Sequence, residues 1–118
     1  MQLDKKFLMT CHIAGRQYYD ADEVWPELAI GTRLTLERDA DNRYDGDAVA
    51  VYYSRPICED TGEKERFLLG YLPSADNALV ASLLDMGWGE ILECRLSRIK
   101  PDAHYEEQLH VTLHIKKK

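Results

Sequence analysis

Apolar and polar residues alternate with a period of two over several short stretches, the spacing of strands with one buried face. In residues 7–13, Phe7, Met9, Cys11 and Ile13 share one face, and Leu8, Thr10 and His12 the other. In residues 32–37, Leu34 and Leu36 alternate with polar neighbours. Residues 48–53 and 66–72 are short apolar runs, and a fifth strand is expected over 90–99. The last strand, 108–115, alternates strictly: Leu109, Val111, Leu113 and Ile115 face one way, His110, Thr112 and His114 the other.

One segment carries a helical period instead. Leu79, Val80, Leu83 and Leu84 recur at three-and-four spacing after Pro73, with Ser74 as N-cap and Gly87 as the stop. A helix over about 74–86 is predicted. Residues 24–28 read as one short helical turn that buries Trp25 and Leu28. Residues 54–65, rich in charge with Pro56 and Gly62, predict an exposed hairpin tip carrying Cys58, with no zinc site there. Six strands and one main helix give a mainly β (α+β) fold, a small curled barrel in the OB-like or SH3-like manner. A length of 118 residues fits one domain, 1–118, ending in a frayed basic tail, 116–118.

Composition narrows the function. No apolar run approaches the roughly 18–20 residues that span a bilayer, and no signal-peptide core follows the first lysines. A cytoplasmic protein without membrane partners is expected. Three cysteines, far apart and odd in number, suit reduced thiols, with Cys11 and Cys94 in the core. The net charge of −6 leaves no global basic footprint, so any nucleic-acid contact must be local. Glu59, Asp60, Glu63 and Glu65 gather in one loop, while Arg16, Arg33, Arg38 and Arg43 cluster in sequence near conspicuous tyrosines.

No Gly-rich phosphate loop, His-Glu-x-x-His or Cys-x-x-Cys marks a catalytic or metal centre. His110 and His114 share a strand face about 13 Å apart, too far to chelate one ion directly. No catalytic residues, metal or cofactor are assigned. The loop between Arg38 and Ala48 is the remaining candidate. It holds Asp, Asn and Gly, which fold turns, and one aromatic, Tyr44, which a turn does not need. Tyr44 and Asp45 are either presented at the strand end as a site or belong to a hairpin whose Tyr packs on the barrel rim. Aromatics serve nucleic-acid modules as stacking platforms, with Arg for phosphates. A carboxylate repels a phosphodiester but suits a free hydroxyl that donates a hydrogen bond.

Four stretches together are similar to the HIRAN domain. They are Gly15-x-x-Tyr18-Tyr19, Gly31-x-x-Leu34-x-Leu36-x-Arg38, Asn42-x-Tyr44-Asp45-x-x-Ala48-Val49-x-Val51 and Leu69-Gly70-Tyr71-Leu72-Pro73. The resemblance runs from about residue 7 to about 115. That domain occurs fused to Snf2-type and other DNA-repair ATPases, and alone in bacteria. The resemblance implies a module without catalysis that captures single-stranded DNA 3′ ends in repair or replication-fork processing. A helicase/ATPase or nuclease in trans would be a partner. Carried over by motif, Tyr18 would stack on a terminal base. Asn42, Tyr44 and Asp45 would hold the terminal nucleotide, with Asp45 accepting the hydroxyl proton. Arg16, Gln17, Arg38 and Arg43 would flank it, and Tyr105 would add a base contact. The chain departs from the family at Gln17, where an Arg is expected, and at Arg43, in place of a Pro. The first change removes a cation and the second adds one. Two other readings stay open: a peptide-binding module using a strand edge or aromatic groove, and a metal-dependent hydrolase built on Cys11, His12, His104 and His110.

Overall fold

The computed structural model describes residues 4–58 and 60–117, apart from the Cys58 side chain. Six strands form one antiparallel sheet in the order β1-β6-β5-β2-β3-β4. They are β1 (Lys5–His12), β2 (Arg33–Arg38), β3 (Val49–Cys58), β4 (Glu63–Tyr71), β5 (Leu92–Ile99) and β6 (Leu109–Lys116). The helices are α1 (Ala21–Val24), α2 (Ala78–Asp85) and α3 (Tyr105–Gln108). The mainly β class with one principal helix is as the alternation predicts. No helix among the described residues is long and apolar enough to cross a membrane.

The sheet curls without closing. Its outer edges, β1 and β4, meet at one bridge between Ala14 and Tyr71, where each amide donates to the other's carbonyl at 2.8 and 3.0 Å. Gly70 permits that approach. Its φ is +152°, and a Cβ there would lie 2.5 Å from the Ala14 carbonyl oxygen and 2.6 Å from Ile13 Cγ2. Inside the curl, Ile13, Leu34, Val49, Val51, Leu69 and Val111 pack with α1 and Val80 of α2 into one core. Cys11 and Cys94 are buried free thiols, as expected.

Several expectations are corrected. The main helix starts at Ala78, not after Ser74, because residues 73–76 close a turn in which the Asp76 amide donates to the Pro73 carbonyl. Asn77 takes the N-cap position, and no side chain caps the helix. The predicted tip at 54–65 is mostly strand: Arg55 pairs with Glu65 and Pro56 with Lys64 in a long hairpin arm. Exposure there marks strands with little beside them, not loop; the Cys58 side chain and Glu59 lie outside the described residues. Phe7 leaves the core face because a bulge between Phe7 and Met9 turns it outward, where it is 63% exposed. Lys116 is no frayed tail but pairs with Lys5, and Lys117 donates its amide to the Asp4 carbonyl. Lys118 lies outside the described residues.

Candidate nucleic-acid interface

The loop from Asp39 to Ala48 is folded by its own side chains. The Asn42 side-chain Oδ1 accepts from the amides of Tyr44 (2.8 Å) and Asp45 (3.1 Å), and Asp45 Oδ1 accepts from the Asp47 amide (2.9 Å). Arg38 braces the base of the loop. Its guanidinium donates to the carbonyls of Ala48 and Gly46 and, through Nε, to Asp85 at the end of α2. The frame leaves Tyr44 95% exposed, its ring standing free of any rim packing.

A second tie runs from below. Asn77, 1% exposed, donates through Nδ2 to Asp45 Oδ2 at 2.7 Å. The missing cap on α2 and the fixed Asp45 therefore have one cause: Asn77 turns to the loop instead of to its helix. Each Asp45 oxygen thus accepts one bond, and an ionised carboxylate has about four acceptor sites. Acceptor capacity remains for one more donor.

Across the bridge, Tyr71 completes the arrangement. Its hydroxyl donates to Asp39 Oδ2 at 2.8 Å, and Asn42 Nδ2 donates to the same oxygen at 3.2 Å. Burial, then that carboxylate, pushes the Tyr71 phenol up to about 12, so it stays a neutral donor. The Tyr19 ring packs against Tyr71 at 5.6 Å between centroids. Between these walls lies a groove of about 340 Å³, lined by Asn42, Tyr44 and Asp45 on one side and by Ala14, Tyr19 and Tyr71 on the other, with Ser74 at its edge. A volume of that order suits one small planar group beside an aromatic wall.

The predicted residues divide into two groups. Asn42, Tyr44 and Asp45 meet in the groove. Tyr18 stands next to Tyr19 in the one-turn 3-10 segment Arg16–Tyr18 and is 75% exposed, though it does not line the groove. Arg43 is exposed on the loop. Arg16 lies elsewhere: it is 5% exposed, paired with Asp22 at 2.8 Å and sandwiched between Trp25 and Tyr105. It holds Tyr105, itself half exposed, rather than facing the groove. Gln17 is half-buried, its Oε1 without a hydrogen-bond partner among the described residues. Arg38 is a brace of the loop. Tyr71, Ser74 and Asn77 were not foreseen here, and Tyr19 was noted only beside Tyr18 in the Gly15-x-x-Tyr18-Tyr19 stretch. Tyr71 stood in the Leu69-Gly70-Tyr71-Leu72-Pro73 run, the one signal that could have placed it.

Of the four groups of the metal reading, only His12 and His110 meet, as a cross-strand pair with ring centroids 6.4 Å apart. His12 and Cys11 point to opposite faces of β1, and His104 accepts the Glu106 amide at the start of α3. Among the described residues no group of three His, Cys, Asp or Glu is placed to hold a metal ion.

Comparison with known proteins decides the family. The model of the HIRAN domain matches residues 6–116. The chain belongs to the HIRAN domain family. The HIRAN chain is 35% identical over 82 residues to the Fanconi-associated nuclease 1 homolog of Oryza sativa subsp. japonica, a match covering 70% of this chain and 7% of that protein. Two solved structures share the HIRAN fold. A protein from Lactobacillus plantarum superposes with a TM-score of 0.72 at 22% identity, covering 97% of each chain. The HIRAN domain of human HLTF does so with a TM-score of 0.55 at 18% identity, covering 99% of this chain and 84% of that one.

Proposed function

We propose that this HIRAN domain binds nucleic acid and takes the end of a single DNA strand, with a free 3′-hydroxyl, into the groove between Tyr44 and Tyr71. The carrying observation is Asp45. It is fixed by Asn77 and by the Asp47 amide, faces a groove with aromatic walls, and has acceptor sites to spare. A carboxylate so placed accepts from a sugar hydroxyl and repels a terminal phosphate. Tyr44 offers a free ring to the last base, and Tyr18 and Tyr105 offer faces to the bases before it. Arg43 meets a phosphate at the groove mouth, while Asn42 and Arg38 hold the loop in shape and Arg16 seats Tyr105. The module has no catalysis of its own and serves a helicase/ATPase or nuclease in trans. The family membership and the nuclease named among its relatives support a role beside nucleic-acid enzymes.

Fluorescence anisotropy with short strands ending in a 3′-hydroxyl or a 3′-phosphate, and with a circular strand, tests this. Wild type should prefer the free hydroxyl. Tyr44→Ala should lose roughly 5- to 150-fold in affinity, the range expected for one stacked base. Asp45→Asn should shrink the hydroxyl-over-phosphate preference. Equal binding of all three strands, or unchanged binding by both variants, would sink the reading.

A further inference from the structure

Strands β1, β6 and β5 bury one face in the core and leave the other open. Register places the open-face side chains in cross-strand pairs: Lys5 with Lys116, Phe7 with His114, Thr10 with Thr112, and His12 with His110. On the far side of β6, Arg98 pairs with His110, and at the β5–β2 junction Arg95 pairs with Arg33. Like charges directly opposite one another destabilise a sheet, and here two such pairs stand on one face of a chain whose net charge is −6.

Elsewhere the same chain pairs its arginines with acids: Arg55 with Glu27 and Glu65, Arg66 with Glu37, Arg38 with Asp85. On the open face the acid is Glu93, already held by Arg95 and Lys5. Arg33, Arg98 and Lys116 have no ion-pair partner among the described residues. Burial, then Arg98 and His12, and less strongly Lys100, push the His110 imidazole below its usual value against the opposing pull of Glu107. Glu106 closes the end of the face at His12, 3.3 Å away.

The rings are the second component. Phe7 is 63% exposed and meets His114 edge to face at 6.2 Å between centroids. Phe7 reaches this face only through its bulge. Phe7 stands in one row with His114 and Glu93, with Lys116 in the row on one side and Arg95 and Arg33 in the row of Thr112 on the other. An exposed aromatic flanked by rows that carry cations is the combination that receives bases and phosphates of an unpaired strand. From His110 to Lys116 the face runs about 20 Å, enough for several nucleotides. Its His12 end lies two residues from Ala14 in the groove wall.

We propose that the open face of β1, β6 and β5, with Arg33 at the start of the neighbouring β2, is a second contact surface for single-stranded nucleic acid, holding the strand beyond the nucleotide in the groove. This deepens the end-capture reading and takes the class of ligand from it.

The test compares wild type with the double variant Arg33→Gln, Arg98→Gln, using a trithymidylate and an oligothymidylate of about 12 nucleotides, both with free 3′ ends. Neither arginine lines the groove. The variant should bind the trinucleotide as wild type does, yet lose about fivefold or more on the longer strand at low salt. Its log–log salt slope on that strand should fall by about 1.4, the value for two phosphate contacts. Removing repelling neighbours should leave the melting temperature unchanged or raised, so a loss of affinity will not be a loss of fold. Unchanged affinity and slope on the longer strand would overturn the proposal. Competition by polyglutamate as effective as competition by DNA would overturn nucleic acid as the occupant. Wild type that binds the long strand through these arginines but not the trinucleotide would support the face and reject the groove as an end pocket.

Discussion

Replacing Gly70 by Ala strikes the point where the two sheet edges meet. The new Cβ would lie 2.5 Å from the Ala14 carbonyl oxygen and 2.6 Å from Ile13 Cγ2. Neither neighbour gives easily. One is backbone in the bridge, and the other belongs to a fully buried side chain. A non-glycine residue at φ +152° costs about 1–3 kcal/mol, and overpacking a tight contact about as much again. Relieving the clash by separation breaks both bridge hydrogen bonds, at about 1 kcal/mol each. A loss of about 4 kcal/mol is expected, a large share of the roughly 5–15 kcal/mol that holds a domain folded. At about 4 °C per kcal/mol the melting temperature should fall about 15 °C by circular dichroism. Gly46→Ala is the control. Its Cβ would meet nothing within 4 Å, and the change should stay within about 1 kcal/mol. If Gly70→Ala melted within a few degrees of wild type, the bridge would not be a close approach that only glycine allows.

Two further predictions concern buried charge and the loop. Asn77→Asp would set two carboxylates against each other where Nδ2 now donates to Asp45 at 2.7 Å, so urea unfolding at pH 7 should show a clear loss of stability that lessens as pH falls through the carboxylate range. Stability unchanged at pH 7 would deny that Asn77 holds the loop. Hydrogen bonds from Arg95, then from Lys5, hold the Glu93 carboxyl down from 4.5 to about 2 against the opposing pull of burial. A depressed carboxyl contributes stability that is full above its unfolded pKa and is lost as pH falls toward the folded one. Glu93→Gln should therefore be less stable than wild type at neutral pH, with the difference closing between about pH 5 and pH 2 in thermal melts. A constant difference across that range would refute the assignment.

How much of this was legible in the sequence depended on whether a residue's fate was local. Period-two alternation placed the first, second and last strands, because the face of Leu109, Val111 and Leu113 is decided by their own spacing, and short apolar runs marked the third and fourth. The loop motif placed Asn42, Tyr44 and Asp45 together, because the turn is closed by its own side chains. What failed was long-range. Arg16 looked like a free cation beside two tyrosines, yet Trp25 and Tyr105 from other segments enclose it. Asn77 read as an ordinary residue inside a predicted helix, and its partner Asp45 lies in a distant loop. Phe7 matched the buried face of β1 until a bulge, invisible in the period, shifted it outward.

The bridge at Ala14 and Tyr71 also sets an order of events. It joins positions far apart along the chain, so its loop-closure entropy is spent late, after the β3–β4 hairpin has formed from neighbours. The seam runs through one wall of the groove, with Ala14 from one side of it and Tyr71 from the other. A chain emerging during synthesis carries Tyr44 and Asp45 early but has no groove until β4 is complete. Closure of the groove is thus a late kinetic step, and any ligand seated across the seam would act as a staple, drawing on its own binding free energy to slow the reopening of the sheet.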